Sequence, residues 1–308
     1  MIVYQSNKNW FRDVVHLYRS NTMRRAVRST ILVMLATAII ALIEIKVLPF
    51  HVSPLNITIF SLLGVVLSIL LSFRTNTAYD RWWEGRKLWG ELVNNCRNLA
   101  VYIHSALPRE DKKTRVYLAV RISNFCIVLK EHLRDGVKME ELINLSKTER
   151  EVYSSKSFLP GFIAYEIVQS IQNVFKAGGI EPEDHLNIKD HTQALLNIAG
   201  ACERIRKTPI PFSYNVYLKL CISVYTLCLP FALIPLFGYW SVIMVGFIFF
   251  AFIGLEMMAQ EIEDPFGLDC NDLSTGDIAH TIKNNVFEIL EVKHIGQEQP
   301  DELYSKVF

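Results

Sequence analysis

The chain has 308 residues and a formal net charge of +1 at pH 7, and 51% of its residues are hydrophobic while 20% are charged. This mixture excludes both a wholly soluble protein and one made only of membrane spans, and it favours apolar blocks joined to charged blocks. A net charge so close to zero also argues against nucleic acid as a main partner.

The first 28 residues mix aromatic and aliphatic side chains with basic ones. Trp10, Phe11 and Val14 stand among lysine and arginine residues, a pattern typical either of an interfacial helix or of an ordinary packed amphipathic helix. No small-residue cleavage pattern accompanies the first long apolar run, so we expect no secretory signal.

Four apolar segments predict four membrane-spanning helices, arranged as two hairpins. The first covers residues 29–43, and the second covers 56–73 without a charge. The third and fourth share the uncharged stretch 220–255, which Pro235 and Gly238 divide. The first segment has 15 residues and its apolar character resumes at 47–50, and the other three have roughly 18 residues each, which matches a hydrocarbon core of about 30 Å. None has the polar face that a soluble amphipathic helix requires.

Basic residues predict the orientation of these spans. Lysine and arginine residues precede the first span, follow the second and precede the third, whereas the hairpin tips at 49–54 and 235–240 carry none. The positive-inside rule then places both termini and the middle of the chain in the cytoplasm. We therefore expect a multi-pass protein of the bacterial inner membrane, divided into segments 1–28, 29–73, 74–213, 214–262 and 263–308.

The cytoplasmic region 74–213 is also predicted to be helical. Apolar residues recur at three- and four-residue spacing in four windows, at 81–106, 111–133, 162–176 and 189–206. Helix breakers separate the windows at Pro108, Asp135-Gly136, Pro160-Gly161, Gly178-Gly179 and Pro182. Because no convincing alternating strand pattern appears, we expect an all-α integral membrane protein.

Signatures of catalysis and of structural metal sites are absent from the sequence. It contains no phosphate-cradling glycine loop, no H-E-x-x-H and no nucleophile elbow. The six cysteines form no C-x-x-C pair, which favours buried free thiols over a disulfide framework or a zinc site. We expect a protein that is not an enzyme and that requires no cofactor.

The second span carries a periodic apolar stripe. Val65, Ile69 and Phe73 are spaced by four and therefore stack along one helical face. A neighbouring stripe of small residues suits close helix approach; it consists of Gly64, Ser68 and Ser72. In a symmetric oligomer the apolar stripe would form three rings that gate ions by expelling water. Lipid-facing or core packing is the alternative, and periodicity alone favours that alternative.

Three further segments near the span ends are unusual. Residues 74–84 combine charges and aromatic rings, as expected of a membrane-interface belt. Two prolines hold Ile210 on stiff, non-helical backbone, which makes it part of either a rigid link or a fixed apolar constriction. Carboxylates are dense in residues 261–272. They could hold calcium, cap a helix or pair with arginines, although the segment is not an EF-hand loop.

Three elements, in their order and separation, make the chain resemble the bestrophin family, and especially its bacterial members. The elements are Asp80-Arg81-Trp82-Trp83, Pro209-Ile210-Pro211 and Asp264-Pro265-Phe266-Gly267. The resemblance extends from the spans to about residue 295. It implies a homopentameric ion channel in the lipid bilayer, with one pore on the five-fold axis.

The resemblance also assigns roles to individual residues. Counting back from Arg81 places the pore neck at Phe73, Ile69 and Val65, the stripe already found by periodicity. The cytoplasmic aperture falls on Ile210, and the residues that support the pore elements are Pro209, Pro211, Arg81, Trp82 and Trp83. The family's calcium-coordinating side chains match Glu261, Asp264, Asp269 and Asp272. Here, however, the acidic run is interrupted at Leu268, Cys270 and Asn271.

Monovalent ions are the permeating partners that the resemblance implies. Bacterial relatives resemble cation channels, and aliphatic rings lack the electropositive aromatic edges that favour an anion, so we expect cations, with sodium favoured over chloride. An anion-selective channel and a membrane-anchored sensor or scaffold are the alternatives. A secondary transporter is disfavoured because the charges of Lys219 and Glu256 lie near span ends, where side chains snorkel.

Overall fold

The computed structural model describes residues 20–46, 56–134, 136–269 and 271–293. Every regular element within these ranges is a helix, which confirms the all-α expectation. The predicted interfacial segment at the start of the chain, the tip of the first hairpin and Asp135 lie outside the described residues, as does the tail after Lys293.

The helices are numbered here in chain order. They are α1 Asn21–Lys46, α2 Ile57–Ala106, α3 Lys112–His132, α4 Lys147–Ser154, α5 Leu159–Lys176, α6 Pro182–Lys207, α7 Phe212–Phe237, α8 Trp240–Glu263 and α9 Thr275–Ile289.

Four helices, α1, α2, α7 and α8, are long and apolar enough to cross a membrane, as expected. The turn between α7 and α8 comes at Gly238, whose φ of 56° is readily adopted only by a residue without a Cβ. Pro235 was expected to divide the two spans as well, but it lies inside α7 together with Pro230. In an apolar setting, neighbouring helices and local adjustments compensate for the missing proline N–H.

Helix α2 corrects the prediction of a separate span and cytoplasmic helix joined by an interface belt. It runs for 50 residues without a break, which corresponds to a length of about 75 Å. Neither proline nor glycine occurs between Gly64 and Gly85 to interrupt it. The expected boundary between residues 73 and 74 therefore falls inside one rigid rod.

Two predicted breakers separate successive helices, as expected, and each does so from the first turn of the second helix. Pro160 lies in the first turn of α5, and Pro182 is the first residue of α6. Proline is tolerated there because first-turn amides have no partner within the helix. The predictions also missed two helices. The first is α4, which starts with a capping box between Ser146 and Glu149, and the second is α9.

Two hydrophobic cores share α2. The first lies between the spans and contains Leu67 and Leu71 of α2 together with residues of α7 and α8. The second lies in the predicted cytoplasmic region, where α3, α6 and α9 pack against the C-terminal half of α2, and α5 packs against α3 and α6. Helix α9 was expected only as part of a C-terminal segment, yet its Ile282 and Phe287 are fully buried.

Ile282→Ala should lower the free energy of unfolding by about 2–5 kcal/mol, because it leaves a cavity between α9 and its neighbours. The neighbouring Thr281→Ala should change it by less than about 0.5 kcal/mol, since Thr281 is exposed and bonds only within its own helix. Chemical unfolding of the detergent-solubilised protein measures both. Equal effects of the two changes would show that α9 is not part of the core.

Candidate functional site

The predicted neck stripe lies on the outer face of α2. The side chains of Val65, Ile69 and Phe73 are 57%, 50% and 64% exposed within a single chain. The residues that α2 buries against its own chain lie on another face, as Leu67 and Leu71 show. Core packing within one chain therefore does not account for the stripe, and its surroundings are lipid, a pore or another copy of the chain.

The small-residue stripe next to it is only partly used within the chain. A Cβ on Gly64 would lie 3.1 Å from the hydroxyl oxygen of Tyr225, so this glycine allows α7 to approach closely. Ser68 and Ser72 are exposed. The Ser68 hydroxyl donates a hydrogen bond to the Gly64 carbonyl at 2.8 Å, so it needs no partner from elsewhere. A narrow surface beside the apolar stripe remains open to another helix.

The proline-bracketed element forms the link between α6 and α7. Pro209 and Pro211 are exposed, whereas the side chain of Ile210 is turned into the chain and is only 8% exposed. Its backbone N–H donates a hydrogen bond of 2.8 Å to a carboxylate oxygen of Glu263. Ile210 is thus fixed at both backbone and side chain, and only an edge of it reaches the surface of a single chain.

Arg81 clamps this link to the ends of two other helices. Its Nε donates to the Glu263 carbonyl at 3.0 Å, and its two terminal nitrogens donate to the carbonyls of Ile205 and Thr208. Carbonyls at a helix C-terminus have no partner within the helix, and a guanidinium fork suits several acceptors at once. Arg81 therefore holds α2, α6 and α8 together at one point.

Glu263 is a residue that the sequence analysis placed only within an acidic run. Its carboxylate forms an ion pair of 2.6 Å with Arg74, and the two side chains are 12% and 1% exposed. A buried charge is tolerated only when it is paired and hydrogen-bonded. The one carboxylate group thus serves both Arg74 and the Ile210 amide. In the sequence, the feature that points to a buried carboxylate at this place is the pair Arg74 and Arg81, which lie two turns apart on the same face of α2.

The family-like elements at Trp82 and Phe266 meet in space. The indole N–H of Trp82 donates to the Asn271 carbonyl at 3.0 Å, and the Trp82 and Trp83 rings are stacked with centroids 6.5 Å apart. Phe266 is fully buried and faces Gly85, where a Cβ would lie 3.2 Å from its ring. Residues 74–84 therefore pack against the segment that follows α8, and they do not form only an interface belt.

The carboxylates proposed for calcium make other contacts. Glu261 accepts hydrogen bonds from the Thr22 hydroxyl and the Asn271 side chain, and Asp272 accepts one of 2.6 Å from the Asp269 N–H. Within the described residues, no group of three or more His, Cys, Asp or Glu side chains could hold a metal ion. The assignment of Glu261, Asp264, Asp269 and Asp272 to a calcium ion stays a prediction, and in this structure Glu261 and Asp272 are bonded within the chain.

The acidic segment has a different electrostatic property. Burial raises the pKa of Asp272 to about 7, and the nearby negative charges of Asp269, Asp264 and Glu261 act in the same direction. One oxygen of the Asp272 carboxylate is buried without a hydrogen-bond partner. Near neutral pH this carboxyl group is therefore divided between its protonated and ionised forms.

Just beyond the apolar stripe, the negatively and positively charged residues of α2 lie on different faces of the helix. Asp80 lies two turns after Phe73 on the same side of α2 and is exposed. Arg74 and Arg81 point instead toward Glu263 and the backbone carbonyls around it. In these two turns the outward face of α2 therefore presents a carboxylate, while the positive charges are held inside the chain.

Comparisons with known proteins agree in sequence and in fold. The family model of the bacterial/fungal bestrophin protein matches residues 1–288. A voltage-dependent anion channel-forming protein of Nostoc sp. is 36% identical over 230 residues, covering 73% of this chain and 75% of that protein. A protein of the same description from Ralstonia nicotianae is 28% identical over 301 residues, covering 96% and 97%. The crystal structure of a bacterial bestrophin homolog from Klebsiella pneumoniae is 28% identical, covers 86% of this chain and 98% of that chain, and has a TM-score of 0.78.

Arg81→Lys should lower the free energy of unfolding by about 2–4 kcal/mol, because one ammonium group cannot reach all the carbonyls that the guanidinium bonds. Arg86→Lys, on the same helix and exposed, should change it by less than about 0.5 kcal/mol. Chemical unfolding in detergent compares the two variants. A loss in Arg81→Lys no larger than in Arg86→Lys would contradict the clamp.

Proposed function

Since the chain belongs to the bacterial and fungal bestrophin family of ion channels, we propose that five copies of it surround one axial pore and pass monovalent ions passively across the bilayer. The observation that carries this proposal is the outward apolar stripe of α2 at Val65, Ile69 and Phe73. In the pentamer, these side chains turn toward the axis and form the neck.

The spacing of the stripe suits a hydrophobic gate. Residues four apart on a helix lie about 6 Å apart along its axis, so five copies of α2 present three stacked rings. Narrow apolar rings control permeation by expelling water. The exposed Ser68 and Ser72 beside the stripe let neighbouring copies of α2 approach closely, as small residues do at helix contacts in membranes.

The second constriction is the cytoplasmic aperture at Ile210. Support for it comes from the rigidity of the element: flanking prolines restrict the backbone, Glu263 holds the amide and Arg81 holds the preceding carbonyls. A constriction needs a position that does not relax when ions pass. Because the side chain is mostly buried in one chain, its exposed edge and the exposed Pro209 and Pro211 form the rim.

Cations, with sodium as the principal ion, are the permeating species in this proposal. The stripe is aliphatic at Val65 and Ile69, so two of the three rings lack electropositive ring edges. The exposed Asp80 adds one carboxylate per subunit two turns beyond the neck, and rings of carboxylates are typical of cation channels. Arg74 and Arg81 do not oppose it, since their guanidinium groups point into the chain.

Anion conduction is the second candidate. The relatives from Nostoc and Ralstonia are described as voltage-dependent anion channel-forming proteins, and Phe73 supplies an aromatic ring at one level of the proposed neck. The sign of the reversal potential in unequal salt distinguishes the two candidates directly.

The proposed setting is the bacterial inner membrane, with both termini and the C-terminal half of α2 in the cytoplasm. The basic residues that flank the spans on one side support this orientation. A membrane-anchored scaffold is the alternative from another class, and it requires neither a current nor five copies.

Planar-bilayer recording of the purified protein tests the pore residues. Ile69→Phe should lower the single-channel conductance, because a larger ring narrows the neck. Ile210→Ala should raise it, because the edge of the side chain that reaches the aperture is removed. Leu35→Phe, at an exposed position of α1, is the matched control and should leave the conductance unchanged.

Unchanged conductance and selectivity in both Ile69→Phe and Ile210→Ala would contradict the residue assignment. The mass of the detergent-solubilised complex controls for the oligomer, which should contain five copies. A monomer or dimer would remove the axial pore and favour the scaffold.

Asp80→Asn should reduce the cation-to-anion permeability ratio several-fold, because it removes one negative charge per subunit next to the neck. Asp80→Glu retains that charge and should keep the ratio near that of the unchanged protein. Reversal potentials in asymmetric salt measure both. A ratio unaffected by Asp80→Asn would place this carboxylate away from the ion path.

A further inference from the structure

A groove in the predicted cytoplasmic region, away from the candidate pore, has no role in the proposed channel function. It encloses about 290 Å³ between α3, α9 and the loop at residues 140–144. The wall from α9 includes Gly276, His280 and Lys283, which recur at helical spacing and share one face.

Lys283 is the unusual side chain of this groove. It is only 7% exposed, and within the described residues its ammonium group has neither an ion-pair nor a hydrogen-bond partner. Helical side chains lean toward the helix N-terminus, so the Lys283 chain extends along the groove toward Gly276. The stem of Lys283 is buried while its ammonium group lines the groove, where a positive charge without a partner in the described chain attracts an anion.

The other charged groups around the groove do not neutralise Lys283. Lys130 is already bound to two carboxylates, Glu141 at 2.6 Å and Glu131 at 3.0 Å. Glu140 lies at the rim, where it is exposed to solvent, and so does the imidazole of His280. The lining thus carries the charges of Lys130 and Glu141, which are paired, and those of Lys283 and Glu140, which form no ion pair within the described residues; of these two, Lys283 is buried along its stem and Glu140 is exposed to solvent.

The start of α9 adds a second attraction for an anion. Gly276 lies in the first turn of this 15-residue helix, and the N-cap residue Ser274 makes no side-chain capping bond. The helix dipole places partial positive charge at this end. The Thr275 N–H donates to the Leu273 carbonyl at 2.7 Å, and Asp277 places a carboxylate in the same turn, so Gly276 is the position where an anion can approach the backbone. Such helix ends bind phosphate and carboxylate groups.

From these observations we propose that the groove is a binding site for a small oxyanion, either a free phosphate or a short carboxylic acid. Lys283 supplies the charge, and the first turn of α9 near Gly276 supplies backbone N–H donors. The cavity volume lies below the range of about 300–1,000 Å³ that is common for drug-sized ligands, which favours an ion or a short acid over a nucleotide. The site does not depend on whether the chain conducts ions.

Thermal unfolding of the full-length protein in detergent tests the site. The probes are millimolar sodium phosphate and sodium succinate, each compared with sodium chloride at equal ionic strength. One of them should raise the unfolding temperature by about 3 °C, and the active salt identifies the source of the oxyanion. Lys283→Met should abolish the increase, whereas Lys189→Met, at an exposed lysine of α6, should retain it.

Two outcomes of this experiment overturn the proposal: no increase with either salt, and an equal increase in Lys283→Met. Without ligand, Lys283→Met should unfold at a temperature no lower than that of the unchanged protein, because methionine keeps the apolar stem and removes the unpaired charge. A clear decrease would show that Lys283 has a partner in the folded chain and would also overturn the proposal.

Hydrogen–deuterium exchange on the unchanged protein is a second measurement that needs no variant. The active salt should slow exchange of the amides in residues 275–283, since a bound oxyanion accepts hydrogen bonds from the start of α9. Exchange that is identical with and without both salts contradicts the site.

Discussion

One buried ion pair, between Glu263 and Arg74, determines how the spans join the rest of the chain. Two charges out of water require partners with good geometry, and here the partners come from the end of α8 and the middle of α2. The second oxygen of the same carboxylate accepts a hydrogen bond from the Ile210 amide. Arg81 donates to the carbonyls of Glu263 and Thr208. Three helix ends are therefore fixed relative to one another at a single node.

The ion pair between Arg74 and Glu263 also determines which way the apolar stripe of α2 faces. Phe73 and Arg74 are adjacent on α2, and successive residues of a helix point about 100° apart. When Arg74 is drawn into the chain by Glu263, Phe73 must turn to the outside. The polarity beyond the stripe follows from the same constraint, since the guanidinium groups are held inside and Asp80 remains at the surface. A continuous α2 extends this arrangement into the second hydrophobic core without a hinge.

The errors of the sequence analysis have identifiable physical causes. Helix α9 was missed because it is short and lies beyond the apolar spans, and its stability comes from burial against α2 and α3. The calcium assignment, which rests on the family resemblance, is not one of these errors and stays a prediction. Spacing along a loop does not determine where side chains point, and Glu261 and Asp272 are directed to partners within the chain.

By itself the sequence determined the all-α class, the four apolar helices, the family and the existence of the Val65–Ile69–Phe73 stripe. These features depend on hydropathy, periodicity and short motifs, which are local properties of the chain. Only the tertiary structure decided that Ile210 is turned inward, that Arg74 pairs with Glu263 across 189 residues, and that Lys283 is 7% exposed with no ion-pair partner among the described residues. Each of these depends on how helices far apart in sequence pack together, and local patterns do not encode that packing.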